Sequence, residues 1–273
     1  MTESIMVATD GSEGASGAER AGISLAARVN ARVSGVSVVE DRDCRSPGTD
    51  DLAVQGFPES ELSLYYKSRA EAVARRFSER ARGQSLEAAC EIASGAAADR
   101  IVERGQSADL IVMGRDGKSS SSRGALIGST VESVIRKFSR SCLVVPAGAS
   151  LAGPIVLGFD GSPGSRSAAS LAVELVNGLG EAVHVFVDSK DKGRAVARFE
   201  EVRQLVGGLS VPVRETSSTL GRPDVKLVDT AREARAGLIV MGAFGRNRIS
   251  DYFIGSNAAA VVRTSSIGVV LAR

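Results

Sequence analysis

Several chemistries are short of material in this chain of 273 residues, which holds one histidine and three cysteines. Cys44, Cys90 and Cys142 are odd in number and lack close metal-ligand spacing, so neither a disulfide framework nor a zinc site is expected, and a reducing compartment fits. His184 lies mid-strand between apolar neighbours and reads as a satisfied or solvent-facing histidine, not as a catalytic base. There is no Ser/His/Asp set, paired-carboxylate motif or Cys/His cluster, so no catalytic residue is assigned. Neither charge sign dominates, with 34 basic against 32 acidic side chains. That balance excludes a broad polyanion-binding face, and nucleic acid is not an expected partner. No apolar run reaches membrane-spanning length, and residues 1–5 do not open a secretory leader. The expectation is a cytoplasmic protein with no membrane partner.

What the chain does contain is a repeat. Residues 5–12, ending in Asp10, Gly11 and Ser12, recur as residues 155–162, ending in Asp160, Gly161 and Ser162. Two identical apolar runs, 110–113 and 238–241, each precede a glycine-rich stretch. The first carries Gly114, Gly117, Gly128 and Ser129, the second Gly242, Gly245, Gly255 and Ser256. The former pair of motifs lies 150 residues apart and the latter 128, so the first half carries about 22 extra residues in its middle. Two domains follow, 1–148 and 153–273.

In the first half, strands are expected at 5–9, 33–39, 86–92, 110–113 and 143–145, with helices at 15–28, 61–82 and 97–104. A further helix follows Gly128, where Val131, Val134, Ile135 and Phe138 fall at i, i+3, i+4 and i+7. Residues 41–60, rich in Asp, Pro and Gly, read as an exposed loop, and 146–154 as a linker. The second half predicts strands 155–159, 182–187, 211–216, 238–241 and 268–271, and helices 166–177, 193–206, 223–235 and 256–263. Such alternation implies a parallel sheet with helices on both faces. Ligands of these sheets sit beyond the carboxyl ends of the strands, where the strand order reverses. In an order 3-2-1-4-5, strands 1 and 4 flank that point, so Asp160 and the stretch Gly242 to Gly245 would share a crevice. The short last strands, 143–145 and 269–271, would leave open edges unless they pair, which predicts an internal pseudo-dimer.

Glycine lets a ligand approach the backbone closely, and the free N–H groups of a helix beginning at Ser256 and Asn257 favour an anion, phosphate above all. The stretch reads as a phosphate-binding loop. Gly117, Lys118 and Ser119 suggest a Walker A loop, but that motif needs glycine where Val112 stands, and no Gly-x-Gly-x-x-Gly fingerprint occurs. Simpler structural readings stand beside these. Ser162 and Pro163 suit a helix cap and first turn, the glycines could punctuate turns, the serines 119–122 beside Arg123 read as a loop, and residues 251–254 would pack the loop's far end.

The pattern Gly242-x2-Gly245-x9-Gly255-Ser256, with Asp, Gly and Ser at 10–12 and 160–162, resembles the universal stress protein family in two tandem copies. The resemblance implies an α/β fold of two tandem doubly wound parallel five-stranded sheets, adenine nucleotide alpha hydrolase-like, with strand order 3-2-1-4-5. It implies ATP, or ADP or AMP, with or without Mg2+, and pairing of domains through their last strands, a homodimer remaining open as a further assembly. It places Asp160 beside ribose and phosphates and the backbone near Val187 at adenine. Gly242, Gly245, Gly255, Ser256 and Asn257 would hold ribose and phosphates. The first-half counterparts are Asp10, Val39, Gly114, Gly117, Gly128 and Ser129. Ten residues separate Gly117 from Gly128, against nine between Gly245 and Gly255, so unequal sites are expected, the second half being better matched. The expected function is a stress-response protein acting as a nucleotide-dependent binding or regulatory module. The alternatives are a slow ATPase or phosphotransferase, and a nucleotide-free interaction scaffold.

Overall fold

The computed structural model describes residues 2–40, 59–117, 127–244 and 254–273. The first half runs β1 (Ser4–Ala8), α1 (Glu13–Val29), β2 (Arg32–Val39), α2 (Glu59–Arg82), β3 (Cys90–Ser94), α3 (Ala97–Arg104), β4 (Leu110–Gly114), α4 (Ser129–Lys137) and β5 (Ser141–Val145). The second runs β6 (Ile155–Gly158), α5 (Pro163–Leu179), β7 (Val183–Asp188), α6 (Lys192–Val206), β8 (Val213–Ser218), α7 (Pro223–Glu233), β9 (Leu238–Gly242), α8 (Ser256–Thr264) and β10 (Gly268–Ala272).

Each half has the expected order 3-2-1-4-5, and the two are joined into one ten-stranded sheet, β3-β2-β1-β4-β5-β10-β9-β6-β7-β8. Pairing is parallel within each half. At the junction β5 and β10 run antiparallel, with Val144 opposite Val269 and Leu143 opposite Val270. The two last strands thereby cover each other's open edges, which would otherwise invite pairing with another chain.

Alternation along the strands sorts the core into two layers. Ile5, Val7, Leu110, Val112, Leu157 and Val240 point to one face, with buried residues of α1, α2, α5 and α6. Met6, Ile111, Met113, Val156 and Ile239 point to the other, with α3, α4, α7 and α8. Apolar residues on both sides explain why these strands read as unbroken hydrophobic runs. On the first face α1 meets α5 directly: Arg28 donates to the Leu179 carbonyl and pairs with Glu181, both at 2.9 Å. The linker is packed down, not a free spacer, because Leu151 is buried in the first core layer.

Several boundaries differ from expectation by one to four residues. The third strand begins at Cys90 instead of residue 86. The turn after α2 uses up 83–85, the Leu86 N–H bonds back to Ala81, and pairing with β2 starts only where Gly35 meets Cys90. On the opposite edge β8 begins at Val213, after Pro212, which has no N–H to offer a sheet. Residues 59 and 60 open α2 and do not belong to a loop. The rest of the stretch read as an exposed loop, 41–58, lies outside the described residues.

Candidate functional site

Both halves build the same structure at the carboxyl end of the first strand. In β1–α1 the Asp10 carboxylate accepts the Ser12 N–H at 2.9 Å, Gly11 takes φ +79°, and the Ser12 hydroxyl accepts the Ala15 N–H at 3.2 Å. In β6–α5 the matching values are 3.0 Å for Asp160 and Ser162, +75° for Gly161, and 3.2 Å for Ser162 and Ser165. Positive φ suits glycine, and the serine satisfies an N–H that the helix leaves open. The capping reading of these motifs is therefore correct. The carboxylates are turned back over the turn at the mouth of the crevice.

The glycine loops add a reason for glycine that the sequence did not reveal. Gly114 lies on the backbone of Gly14 in α1, where a Cβ would come within 2.6 Å of the Gly14 carbonyl carbon. Gly242 lies on Gly164 in α5 in the same way, with a Cβ at 2.7 Å. The first glycine of each loop is thus the seat for the helix that follows the first strand. Neither Gly14 nor Gly164 was picked out from the sequence. The signal lay in their shared position two residues after the capping serine.

Each loop closes on itself. The Gly128 N–H donates to Arg115 O at 3.4 Å, and the Gly255 N–H to Ala243 O at 2.9 Å. The loops' ends are therefore pinned alike, and the added residue of the first loop falls between Gly117 and Gly128, a stretch whose residues 118–126 lie outside the described ones. Residues 245–253, including Gly245, also lie outside, as do Lys118, the serines 119–122 and Arg123. Ile254 packs on the second core layer. Gly117 faces Asp10, since a Cβ there would stand 3.5 Å from its carboxylate.

Ser129 and Ser256 are not caps. They are the first helical residues of α4 and α8, whose N-caps are Gly128 and Gly255, and neither helix has a side-chain cap hydrogen bond. The helices after the first strands are serine-capped, whereas those after the glycine loops present their first N–H groups uncapped toward the crevice. The two differ in charge: α4 carries Glu132 in its first turn, and α8 has no acidic residue there. An anion is better received at α8.

The second strands place the last predicted residues. Val39 ends β2, and its carbonyl accepts the Gly95 N–H at 3.0 Å. It lines a pocket with Asp10, Ser37, Val38, Tyr66, Arg69, Ala70 and Val73, roofed by α2. Val187 is not its counterpart. Ile5 pairs with Val33 and Ile155 with Val183, so the register matches Val39 with Ser189 and Val187 with Ser37. Val187 is buried in the first core layer. Beside it the roof differs, because Arg198 of α6 donates to the Asp188 carbonyl at 2.9 Å and packs against Gly161, where the first half has Val73 against Gly11.

The reactive side chains stand apart from these loops. The His184 ring nitrogen Nε2 lies 2.7 Å from the Thr216 hydroxyl on the outer strands, and burial, aided by Arg214, lowers its basicity. Burial pushes both the Cys90 and Cys142 thiols up to about 12, Glu19 and Glu91 adding to the effect at Cys90, so neither offers a thiolate at neutral pH. Among the described residues no group of three or more His, Cys, Asp or Glu could hold a metal ion, and no helix is long and apolar enough to cross a membrane.

Fold and site together define a tandem doubly wound α/β protein with two glycine-loop crevices on opposite edges of one sheet, each at the carboxyl ends of its own half's strands. The chain belongs to the universal stress protein family, whose model matches it twice, over residues 1–146 and 152–273. Universal stress protein Rv2005c of Mycobacterium tuberculosis is 28% identical over 194 residues, covering 63% of this chain and 64% of that protein. The match thus spans a little under two thirds of that relative's length. The crystal structure of a universal stress protein from Archaeoglobus fulgidus covers 100% of this chain and 99% of that one, at a TM-score of 0.79 and 19% identity. A universal stress protein solved in complex with cAMP covers 54% of this chain and 97% of its own, with TM-score 0.41 and 25% identity.

Proposed function

We propose that this protein binds ATP or a related adenine nucleotide in the crevice between β6 and β9, and works in the cytoplasm as a nucleotide-dependent binding and regulatory module. The observation that carries this reading is the start of α8. An uncapped helix N-terminus without an acidic first turn stands beyond a glycine loop pinned by Gly255 and Ala243, which is what a phosphate group needs. Asp160 across the crevice suits the ribose. Gly242, Gly245, Gly255, Ser256 and Asn257 would carry the phosphates, and Asp10, Gly114, Gly117, Gly128 and Ser129 would do the same in the first half. The adenine of the second half is proposed to meet the backbone at the end of β7, from Val187 to Ser189, the latter being the register equivalent of Val39. Magnesium, if taken up, would arrive on the phosphates with at most one or two carboxylates, the usual mode for that ion.

The described side chains near either loop include no evident base to orient water, and phosphoryl transfer depends on such an orienting group. The reading is therefore of binding and not turnover. Calorimetry with ATP, ADP and AMP tests it. Gly245→Val, which puts a branched side chain where phosphate approaches the backbone, should abolish binding in the second half with the fold intact. Unchanged affinity would sink the assignment. Steady phosphate release at about 1 per second or faster, lost in Ser256→Ala, would replace it with an ATPase.

A further inference from the structure

Two arginines cross between the halves, and each ends on the helix that opens from the other half's glycine loop. Arg115 follows Gly114 in the first loop. Its Nη1 donates to the carbonyls of Ser265 at 2.7 Å and Arg263 at 3.3 Å, at the C-terminal end of α8. Arg273 follows β10, and its Nη2 donates to Ile135 O at 2.8 Å and Arg136 O at 2.9 Å, in the last turn of α4. The Arg273 guanidinium also lies 4.5 Å over the ring of Phe244, a residue of the second loop.

Helix ends leave carbonyls open, and a cation there complements the dipole just as an anion does at the N-terminus. Each loop helix therefore has its receptive N-terminus in one half and its C-terminal cation supplied by the other. The arrangement is not inherited from the repeat. Arg115 N–H bonds Val145 O and Ala243 N–H bonds Ala272 O, so the position matching Arg115 holds Ala243 and the one matching Arg273 holds Pro146. Two unrelated positions make the same connection.

The loops cannot rearrange without disturbing these contacts. The carbonyl of Arg115 is the acceptor that closes the first loop on Gly128, while its side chain is fixed on α8. Phe244 lies between Gly242 and Gly245, beneath the arginine that holds α4.

We propose that Arg115 and Arg273 are positioning residues that couple the two crevices, so that nucleotide bound in one changes the order and affinity of the other. The inference rests on the nucleotide-binding reading above. By linkage the coupling is reciprocal, and with one helix-end charge carrying each direction it should amount to roughly two- to fivefold.

Hydrogen exchange of the full chain carrying Gly117→Val, with ATP as probe, tests it. Only the second crevice can then fill. Exchange should slow over 254–264 and, by roughly two- to fivefold, over 129–137 in the half that binds nothing. Adding Arg273→Met should remove the second effect and keep the first, and Arg273→Lys, which retains the charge, should restore part of it. A residue that merely held the halves together would not show this ligand-dependent transfer. Protection confined to 254–264 with Arg273 intact would overturn the coupling and leave nucleotide binding standing. No protection in either segment would overturn both.

Discussion

The two halves share their loops and caps but differ in what covers them. In the first, α2 lays Val73 on Gly11 and shapes a pocket with Asp10, Val38 and Val39. In the second, α6 puts the buried Arg198 in the corresponding place. The contrast reverses at the loop helices, where the first half carries Glu132 in the first turn and the second carries no acid. The repeated parts hold strands and helices in register, while the unrepeated parts would set what each crevice accepts if it binds nucleotide as proposed. The halves are therefore expected to differ in ligand preference as well as in affinity. The spacing argument from the sequence pointed to affinity alone.

The anchoring of the two roofs is the strongest contrast to break. Glu19 of α1 is fully buried, and its carboxylate accepts from Thr9, from Arg76 at 2.7 Å and from Arg80, the two arginines belonging to α2. The equivalent position in α5 is Ala169, and the second half uses an outer pair, Arg166 with Glu201. Removing one partner from a buried pair costs about 3–5 kcal/mol. Arg76 and Arg80 are 37% and 27% exposed and can rehydrate, so Glu19→Gln should cost roughly 2–3 kcal/mol after screening. Glu201→Gln should cost less than about 1 kcal/mol. Urea midpoints at equal slope check both, and equal losses would mean the roofs are anchored alike.

The helix seats give the next largest effect. A Cβ on Gly14 would press into the Asp116 carbonyl oxygen, inside contact distance, whereas one on Gly164 would stand 3.2 Å from Phe244 O. Gly14→Ala should destabilise by about 1–3 kcal/mol through overpacking and displace the first loop. Gly164→Ala should come close to neutral, because relief of glycine's backbone entropy, about 0.5–1 kcal/mol, offsets a tight but adjustable contact. Thermal melts of the two variants would show whether the seats differ as the distances say.

Much of this was legible in the sequence. The helix at 97–104 and the strand starts at 110 and 238 coincide with the structure, because unbroken apolar runs and a strong helical stripe are signals carried by the residues themselves. Alternation gave the parallel sheet with helices on both faces, the family resemblance supplied the strand order, and the β5–β10 junction followed from the exposed edges together with that resemblance. Features that depend on a partner distant in sequence were not legible. Gly114 needs glycine because of Gly14, a hundred residues earlier in the chain. The helix start at residue 256 is legible in the sequence, but that Gly255 takes the cap position and leaves the first N–H groups without a side-chain cap is not. Val187 was matched to Val39 by its place near a strand end, and only the sheet register shows Ser189 to be the equivalent. Arg115 and Arg273 carry no motif at all, since their meaning lies in the contact between halves.

The smallest contrast concerns pH. At the start of the central strands the first half uses a carboxylate, and Asp109 accepts from the N–H groups of Glu3 and Ser4 at 3.0 Å each and from the Ser4 hydroxyl at 2.9 Å. The matching position in the second half is Gly237, whose N–H donates to the Pro154 carbonyl at 3.0 Å with no ionisable group involved. Burial alone would raise the pKa of Asp109, but the Glu3 and Ser4 donors together with Arg140 outweigh it and hold that pKa below its ordinary value of 3.8. A depressed folded value means that the contribution is fully present above the ordinary carboxylate range and disappears as pH falls through the folded value. The Asp109 side chain is 35% exposed, so screening keeps the effect to about a few tenths of a kcal/mol. Asp109→Asn should therefore be slightly less stable than the parent at pH 6, and the gap between their urea midpoints should close as the pH is taken below about 3.8. A gap that stayed constant across that range would assign the stabilisation to hydrogen bonding that asparagine also loses, and would remove pH sensitivity from the differences between the halves.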